Sequence, residues 1–157
     1  MTNSTVPLAR LVAWLENYRT QVTEQRAYLT ELDSAIGDAD HGANMARGFA
    51  AVMAKLDEGA PATADELFKS VGMTLVTSVG GASGPLYGTF FLRMGMTAGA
   101  VTEFDGAALA AALPPALDQT PAATKHSYIN RIRMFQALLE EPSFTDVLVQ
   151  VVMATLE

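Results

Sequence analysis

The 157 residues include 17 acidic and 10 basic side chains, a net charge of −7, and half of all residues are hydrophobic. This is enough apolar chain for one domain with a core, and too acidic a balance for gripping a nucleic-acid backbone, so no nucleic-acid partner is expected. No cysteine is present, which excludes disulfides, thiolate nucleophiles and cysteine zinc sites; no apolar run reaches the ~18 residues of a bilayer crossing and no leader-like start is visible, so the expected setting is cytoplasmic, away from membranes.

Thr5 and Pro7 read as an N-cap and an early-turn proline, followed by Leu8, Leu11, Val12, Leu15 and Tyr18 at helical spacing. Trp14, beside this stripe, reads as core. A second, shorter apolar pattern, Val22, Tyr28, Leu29 and Leu32, leads into Asp33-Ser-Ala-Ile-Gly-Asp-Ala-Asp-His-Gly-Ala-Asn44. The periodicity stops there, and Asp and Gly are poor interior helix residues, so this is a turn. Met45, Phe49, Val52, Met53 and Leu56 then mark a helix beginning around His41 to Asn44 and ending at Gly59-Ala-Pro61.

Thr63 and Glu66 have capping-box spacing for a further helix with Leu67, Phe68, Val71, Leu75 and Val76. It runs into Ser78-Val-Gly-Gly-Ala-Ser-Gly84, after which Pro85 opens a helix bearing Leu86, Tyr87, Phe90, Phe91 and Met94. Asp105 reads as the cap of a short alanine-rich helix ending near Pro114-Pro115. From there the character changes: all twelve glycines lie at or before Gly106, and four of the seven prolines lie at Pro114 or later. Residues 114–125 read as a linker, with His126 an exposed linker residue. Tyr128, Ile129, Ile132, Phe135, Leu138 and Leu139 mark one more helix, and Val147 to Met153 is read as a helix rather than a strand.

Two stretches carry chemistry. Asp33, Asp38 and Asp40 lie within eight residues of one another, and three carboxylates on one tight turn repel unless a cation sits among them. Carboxylate oxygens select a hard cation, Mg²⁺ or Ca²⁺; the spacing is not that of an EF-hand. His41 and Asn44 open the next helix, whose first N–H groups point back at the turn, where an anion such as a metal-bound phosphate fits. Residues 78–84 hold three glycines and two serines, a composition that lets backbone N–H groups approach an anion at a helix start. Neither a Walker A lysine nor a Rossmann strand accompanies it. Taken alone, that glycine-rich turn is equally a plain connection between helices.

On those residues the chain resembles the nucleotide-binding L subunit of bacterial dihydroxyacetone kinase. The likeness is carried by Leu32 to Met45, by Gly72-Met-Thr-Leu-Val-Thr-Ser-Val-Gly-Gly-Ala-Ser-Gly-Pro-Leu-Tyr-Gly-Thr-Phe-Phe91, and by the spacing between them; it covers about residues 8–113. The resemblance implies an all-α fold, an antiparallel helical bundle or barrel, with ADP and two Mg²⁺ ions at one end. By motif position it implies Asp33, Asp38 and Asp40 as metal ligands. His41, Gly42, Ala43 and Asn44 would contact the nucleotide from the helix start, and Ala82 and Ser83 from the glycine-rich turn. It implies a phosphotransferase that acts only with partners: ADP stays bound, is rephosphorylated by a donor subunit of the phosphoenolpyruvate phosphotransferase system, and the ATP formed serves dihydroxyacetone held on a separate K subunit. No residue is needed as nucleophile or general base, because phosphoryl transfer rests on positioning and charge neutralisation. No K-type domain is visible in the sequence, which favours the stand-alone, phosphotransferase-linked form; monomer and homodimer both stay open. The likeness stops near Leu113. The family's Gly-Asp-Lys-Thr motif and Gly-His-x-Asp-Pro-Gly loop do not occur in this sequence. The expected organisation is therefore an L-type helical domain over 1–113 and a divergent helical tail over 114–157. The alternative function is an L-like docking or regulatory module without turnover.

Overall fold

Apolar residues at helical spacing become helices wherever the structure describes them. The computed structural model describes residues 5–34 and 38–105, together with Ala108 and Ala112. In chain order these form β1 (Thr5–Pro7), α1 (Leu8–Glu24), α2 (Arg26–Ser34), α3 (His41–Glu58), α4 (Ala64–Ser78), α5 (Ser83–Ala98) and β2 (Glu103–Asp105). The architecture is all-α apart from one short antiparallel pairing, and among the described residues no helix is long and apolar enough to cross a membrane.

Phe91 sits at the centre of the core. Its ring lies 6.0 Å from Trp14 of α1, 6.4 Å from Phe49 of α3, 6.3 Å from Phe68 of α4 and 5.2 Å from Phe90 beside it. Tyr18 meets Phe49 edge-on at 4.6 Å, and Phe68 meets Phe104 of β2 at 5.6 Å. Stacked, tilted and edge-to-face contacts of this kind are each worth about 0.5–1.5 kcal/mol beyond the area they bury. They tie four helices and the strand pair to one residue. Trp14 is buried, as its place beside the first apolar stripe predicts.

The helices run as hairpins. α4 and α5 are joined by residues 79–82 and pack antiparallel at very close range. A Cβ built at Gly72 would lie 2.8 Å from the Gly88 carbonyl oxygen, and one at Gly88 would lie 2.9 Å from the Gly72 carbonyl oxygen. No side chain fits between these backbones, which is why both positions are glycine. α2 and α3 pack as a second hairpin, so the turn between them and the turn between α4 and α5 can meet at one end of the molecule.

Several local readings are corrected by the structure. Thr5 is not a helix cap: Thr5–Pro7 is a strand, paired Thr5 to Asp105, Val6 to Phe104 and Pro7 to Glu103, and the Thr5 hydroxyl donates to Glu103 Oε2 at 2.8 Å. Long-range pairing with a segment about a hundred residues away overrides the local signal, and it buries Val6 and Phe104. Pro7 does precede the first helical residue, without a side-chain cap. Val22 belongs to α1 rather than to the second pattern. Tyr28 and Val76 are 44% and 40% exposed, because each sits at the margin of a stripe already filled by Leu29 or by Val71 and Leu75. The helix expected to open at Pro85 begins two residues earlier, at Ser83. The Thr63–Glu66 capping box is displaced: Glu66 Oε2 accepts from the Ala62 N–H at 3.0 Å, and the Thr63 hydroxyl donates to Asp65 Oδ1 at 2.6 Å. Carbonyls of Val101 and Gly99 already take the Ala64 and Asp65 N–H groups, so the hydroxyl is not needed there. Asp105 does act as a cap, its Oδ1 accepting from the Ala108 N–H at 2.7 Å. The expected linker at 114–125, His126, the helix around Tyr128 to Leu139 and the run Val147 to Met153 lie outside the described residues.

Asp65 gives the α4 start a pH signature. Lys69 Nζ and the Thr63 hydroxyl both donate to its carboxylate, and they hold its pKa at about 2, against an ordinary 3.8. A carboxylate whose folded pKa is depressed contributes stability that is present above its unfolded pKa and is lost as pH falls through the folded one. Melting temperature should therefore fall between about pH 4 and pH 2, and Asp65→Asn should flatten that limb while leaving the neutral-pH slope unchanged. An unaltered acid limb in the variant would refute the assignment.

Candidate metal and phosphate site

The site is built from the turn at the end of α2, the start of α3 and the start of α5. Asp33 lies in the last turn of α2, and Asp38 and Asp40 lie just before α3. Their carboxylate oxygens fall within 4.8 Å of one another. Like charges about 5 Å apart repel by about 1 kcal/mol per pair even in water and by more where water is excluded. Between two of them Ala39 adopts φ 60°, the left-handed region, which costs an L-residue roughly 1–2 kcal/mol.

The three positions are not equivalent. Asp33 Oδ2 accepts from the backbone N–H of Asp40 at 3.1 Å and of His41 at 3.4 Å. The carboxylate thus caps α3 from the neighbouring helix, replacing the Asp40 side chain, which makes no cap bond. Asp33 and Asp40 are half-buried, whereas Asp38 is exposed. An octahedral Mg²⁺ with ligands at about 2.0–2.1 Å spans about 4.2 Å between opposite oxygens. Three carboxylate oxygens within 4.8 Å are a small side-chain adjustment from that geometry. The donor set, oxygen alone, also suits a hard cation. The residues fit the metal.

The anion half comes from two helix starts. α3 opens at His41, and the Asn44 N–H is the first to find a helical acceptor, the Asp40 carbonyl. The Gly42 and Ala43 N–H groups precede it at the positive end of the helix dipole. α5 opens at Ser83, with Ala82 before it and Leu86 the first N–H to find a helical acceptor, the Ala82 carbonyl. Pro85 has no N–H, so Ser83 and Gly84 supply the orphan donors. The two starts touch: Ser83 Oγ lies 3.0 Å from His41 Nδ1. His41 and Asn44 are 7% and 6% exposed, the two polar side chains buried among the described residues.

Glycine is required at two points around these starts, and a third is tight. A Cβ at Gly42 would run into the Arg26 carbonyl oxygen of α2, and one at Gly84 would run into the Val79 carbonyl. At Gly80 a Cβ would come within 3.1 Å of both terminal atoms of the Asn44 side chain. Gly81 adopts φ 64° in the middle of the turn.

All nine residues singled out from the sequence therefore lie at one end of the hairpin pair. Two contributors were not anticipated. Gly80 provides the floor against which Asn44 packs. Arg47, exposed and one turn into α3, donates from Nη2 to Asn44 Oδ1 at 2.7 Å and from Nε to the Ser78 carbonyl at 3.1 Å. Its separation of three residues from Asn44 was the available signal.

A family model described as the DAK2 domain matches residues 35–131. The chain is 52% identical over 87 residues to the "PTS-dependent dihydroxyacetone kinase, ADP-binding subunit DhaL" of Lactococcus lactis, covering 55% of this chain and 45% of that protein. It is 52% identical over 88 residues to the "PEP-dependent dihydroxyacetone kinase, ADP-binding subunit DhaL" of Escherichia coli, covering 54% and 40%. Human "Triokinase/FMN cyclase" is 34% identical over 82 residues, 52% of this chain and 14% of that one. The chain spans less than half the length of these relatives.

Proposed function

Because the chain belongs to the DAK2 domain family, we propose that it is the ADP- and Mg²⁺-binding part of a phosphotransferase-dependent dihydroxyacetone kinase. It would work with a K subunit that holds dihydroxyacetone and with a phosphoryl donor subunit of the phosphotransferase system. What supports this reading above all is one juxtaposition: three carboxylates within 4.8 Å stand beside two helix starts that touch at His41 and Ser83. Carboxylates alone would suit a structural cation, and helix starts alone a free anion; together they suit a metal-bound phosphate.

In this reading Asp33, Asp38 and Asp40 would hold the Mg²⁺, two ions by the family resemblance. Bound Mg²⁺ neutralises charge on the transferring phosphoryl group and fixes its orientation. The Gly42, Ala43, Ser83 and Gly84 N–H groups would donate to the nucleotide's phosphate oxygens. His41 and Asn44 line the same space, and the Ser83 hydroxyl fixes the imidazole through Nδ1. The protein's contribution is positioning, and no side chain is required to move a proton. We place the site within residues 1–113; the family match itself runs on to residue 131, past the boundary expected from the sequence.

Calorimetric titration of the full chain with ADP tests the reading. Saturable binding with Mg²⁺ that vanishes in EDTA is the expected result. Absence of binding in both conditions would overturn it and leave the docking-module alternative.

A further inference from the structure

Arg47 stands outside the set of residues that would touch metal or nucleotide, yet it is bonded to that set. One guanidinium forks between Asn44 Oδ1 of its own helix and the Ser78 carbonyl where α4 gives way to the glycine-rich turn. We propose that Arg47 is the positioning residue that sets the Asn44 amide toward the nucleotide phosphates and locks the 78–84 turn to α3. This rests on the nucleotide-binding reading above.

The chemistry follows from what each group can do. A guanidinium has only donors, so the Asn44 atom facing it must be the carbonyl oxygen. The amide is thereby fixed with Nδ2 as its outward atom. Among the described residues no acceptor takes the Nδ2 hydrogens, although Asn44 is 6% exposed. Asn44 Nδ2 is not among the fully buried atoms left without a partner, so it reaches open space beside the two helix starts, where it can donate to a phosphate oxygen. Without Arg47 the amide could turn over and present its oxygen, which would repel the same phosphate. The second arm of the fork matters equally. Gly80 packs against the flat of the Asn44 amide, so fixing Ser78 fixes the surface that Asn44 lies on. A lysine carries all its donors on one nitrogen, not on separate nitrogens of a rigid plane, so it does not reproduce the Nε and Nη2 fork.

The test is a double-mutant cycle on the full chain, read by calorimetric ADP affinity in Mg²⁺. Arg47→Ala and Asn44→Ala should each weaken ADP binding. Arg47→Ala should cost about tenfold in the wild-type background and less than about twofold in Asn44→Ala, as expected for residues sharing one hydrogen-bond network. Arg47→Lys should fall with Arg47→Ala, and Mg²⁺ affinity measured without ADP should be unchanged in both. Equal losses in the two backgrounds, or restored affinity in Arg47→Lys, would overturn the proposal and make Arg47 a direct electrostatic contact. No ADP binding by the wild-type chain would instead remove the nucleotide reading, and this proposal with it. The ligand-free melting temperature of each variant separates these outcomes from simple misfolding; a variant that binds poorly because it has unfolded counts against the positioning role.

Discussion

Asp33→Ala is expected to abolish Mg²⁺-dependent ADP binding and also to lower the stability of the ligand-free protein by about 1–2 kcal/mol, the cost of losing a helix N-cap. Asp38→Ala is expected to abolish binding equally and to leave the ligand-free protein as stable or slightly more so. The difference comes from the geometry. The Asp33 carboxylate accepts from two backbone N–H groups at the start of α3, and it stands at the positive end of that helix. Asp38 is exposed and makes no hydrogen bond to a described residue, so removing it mainly relieves repulsion within the cluster. As ligands the two should be alike, each loss costing about a hundredfold or more in ADP affinity, above the roughly 10–100-fold cost of losing a partner outside the metal's own ligands. Urea denaturation without metal, and then the same measurement with Mg²⁺ and ADP, separates the two roles. Ligand should stabilise the wild type and neither variant. Equal stability of the two ligand-free variants would show that Asp33 is not the cap of α3.

This dual role was not visible in the sequence, although the cluster was. Three aspartates within eight residues mark a candidate cation site through their mutual repulsion, and His41 and Asn44 mark the helix start beside it as a candidate anion site. What the sequence could not supply was the division of labour among them. The cap on α3 would ordinarily be sought at Asp40, directly before the helix, and it comes instead from Asp33, seven residues earlier and on another helix. The helices themselves were legible because a 3.6-residue period is a local signal: Leu11, Leu15, Tyr18, Phe49, Val52, Phe68, Val71 and Phe91 all fall in the core. The strand at Thr5–Pro7 was not, because its partner lies at Glu103–Asp105 and three residues show no period. Arg47 was missed for a related reason. Its two acceptors are a side chain one turn back and a carbonyl 31 residues ahead, and only the folded hairpins bring them together. Ala39 gives no warning of its left-handed backbone, since nothing about alanine favours it.

Gly42→Ala is expected to have the largest effect of any glycine-to-alanine change among the described residues. The new Cβ would overlap the Arg26 carbonyl oxygen and lie 2.6 Å from the Thr30 hydroxyl. Backbone cannot swing aside as a flexible side chain can, so α2 and α3 must separate. Overpacking of this kind costs about 1–3 kcal/mol and occasionally more, and the rigid neighbour here places the expected value at the upper end, about 3 kcal/mol. Gly59→Ala is the matched control. It adds the same methyl at an extended backbone position, φ −177°, with nothing within 4 Å, and it should change stability by no more than about 0.5 kcal/mol. The functional consequence is specific to the first position. Gly42 is the second residue of α3, and the start of α3 is held by Asp33 across the same gap between helices. Widening that gap lengthens the bonds from Asp33 to the Asp40 and His41 N–H groups, moves the α3 start away from Ser83, and opens the carboxylate cluster. Loss of stability and loss of ADP affinity should therefore appear together in Gly42→Ala, even at a temperature where the variant is fully folded. A variant that is destabilised but binds ADP as the wild type does would mean that the α3 start is positioned by the Asn44–Arg47 fork and not by its packing on α2.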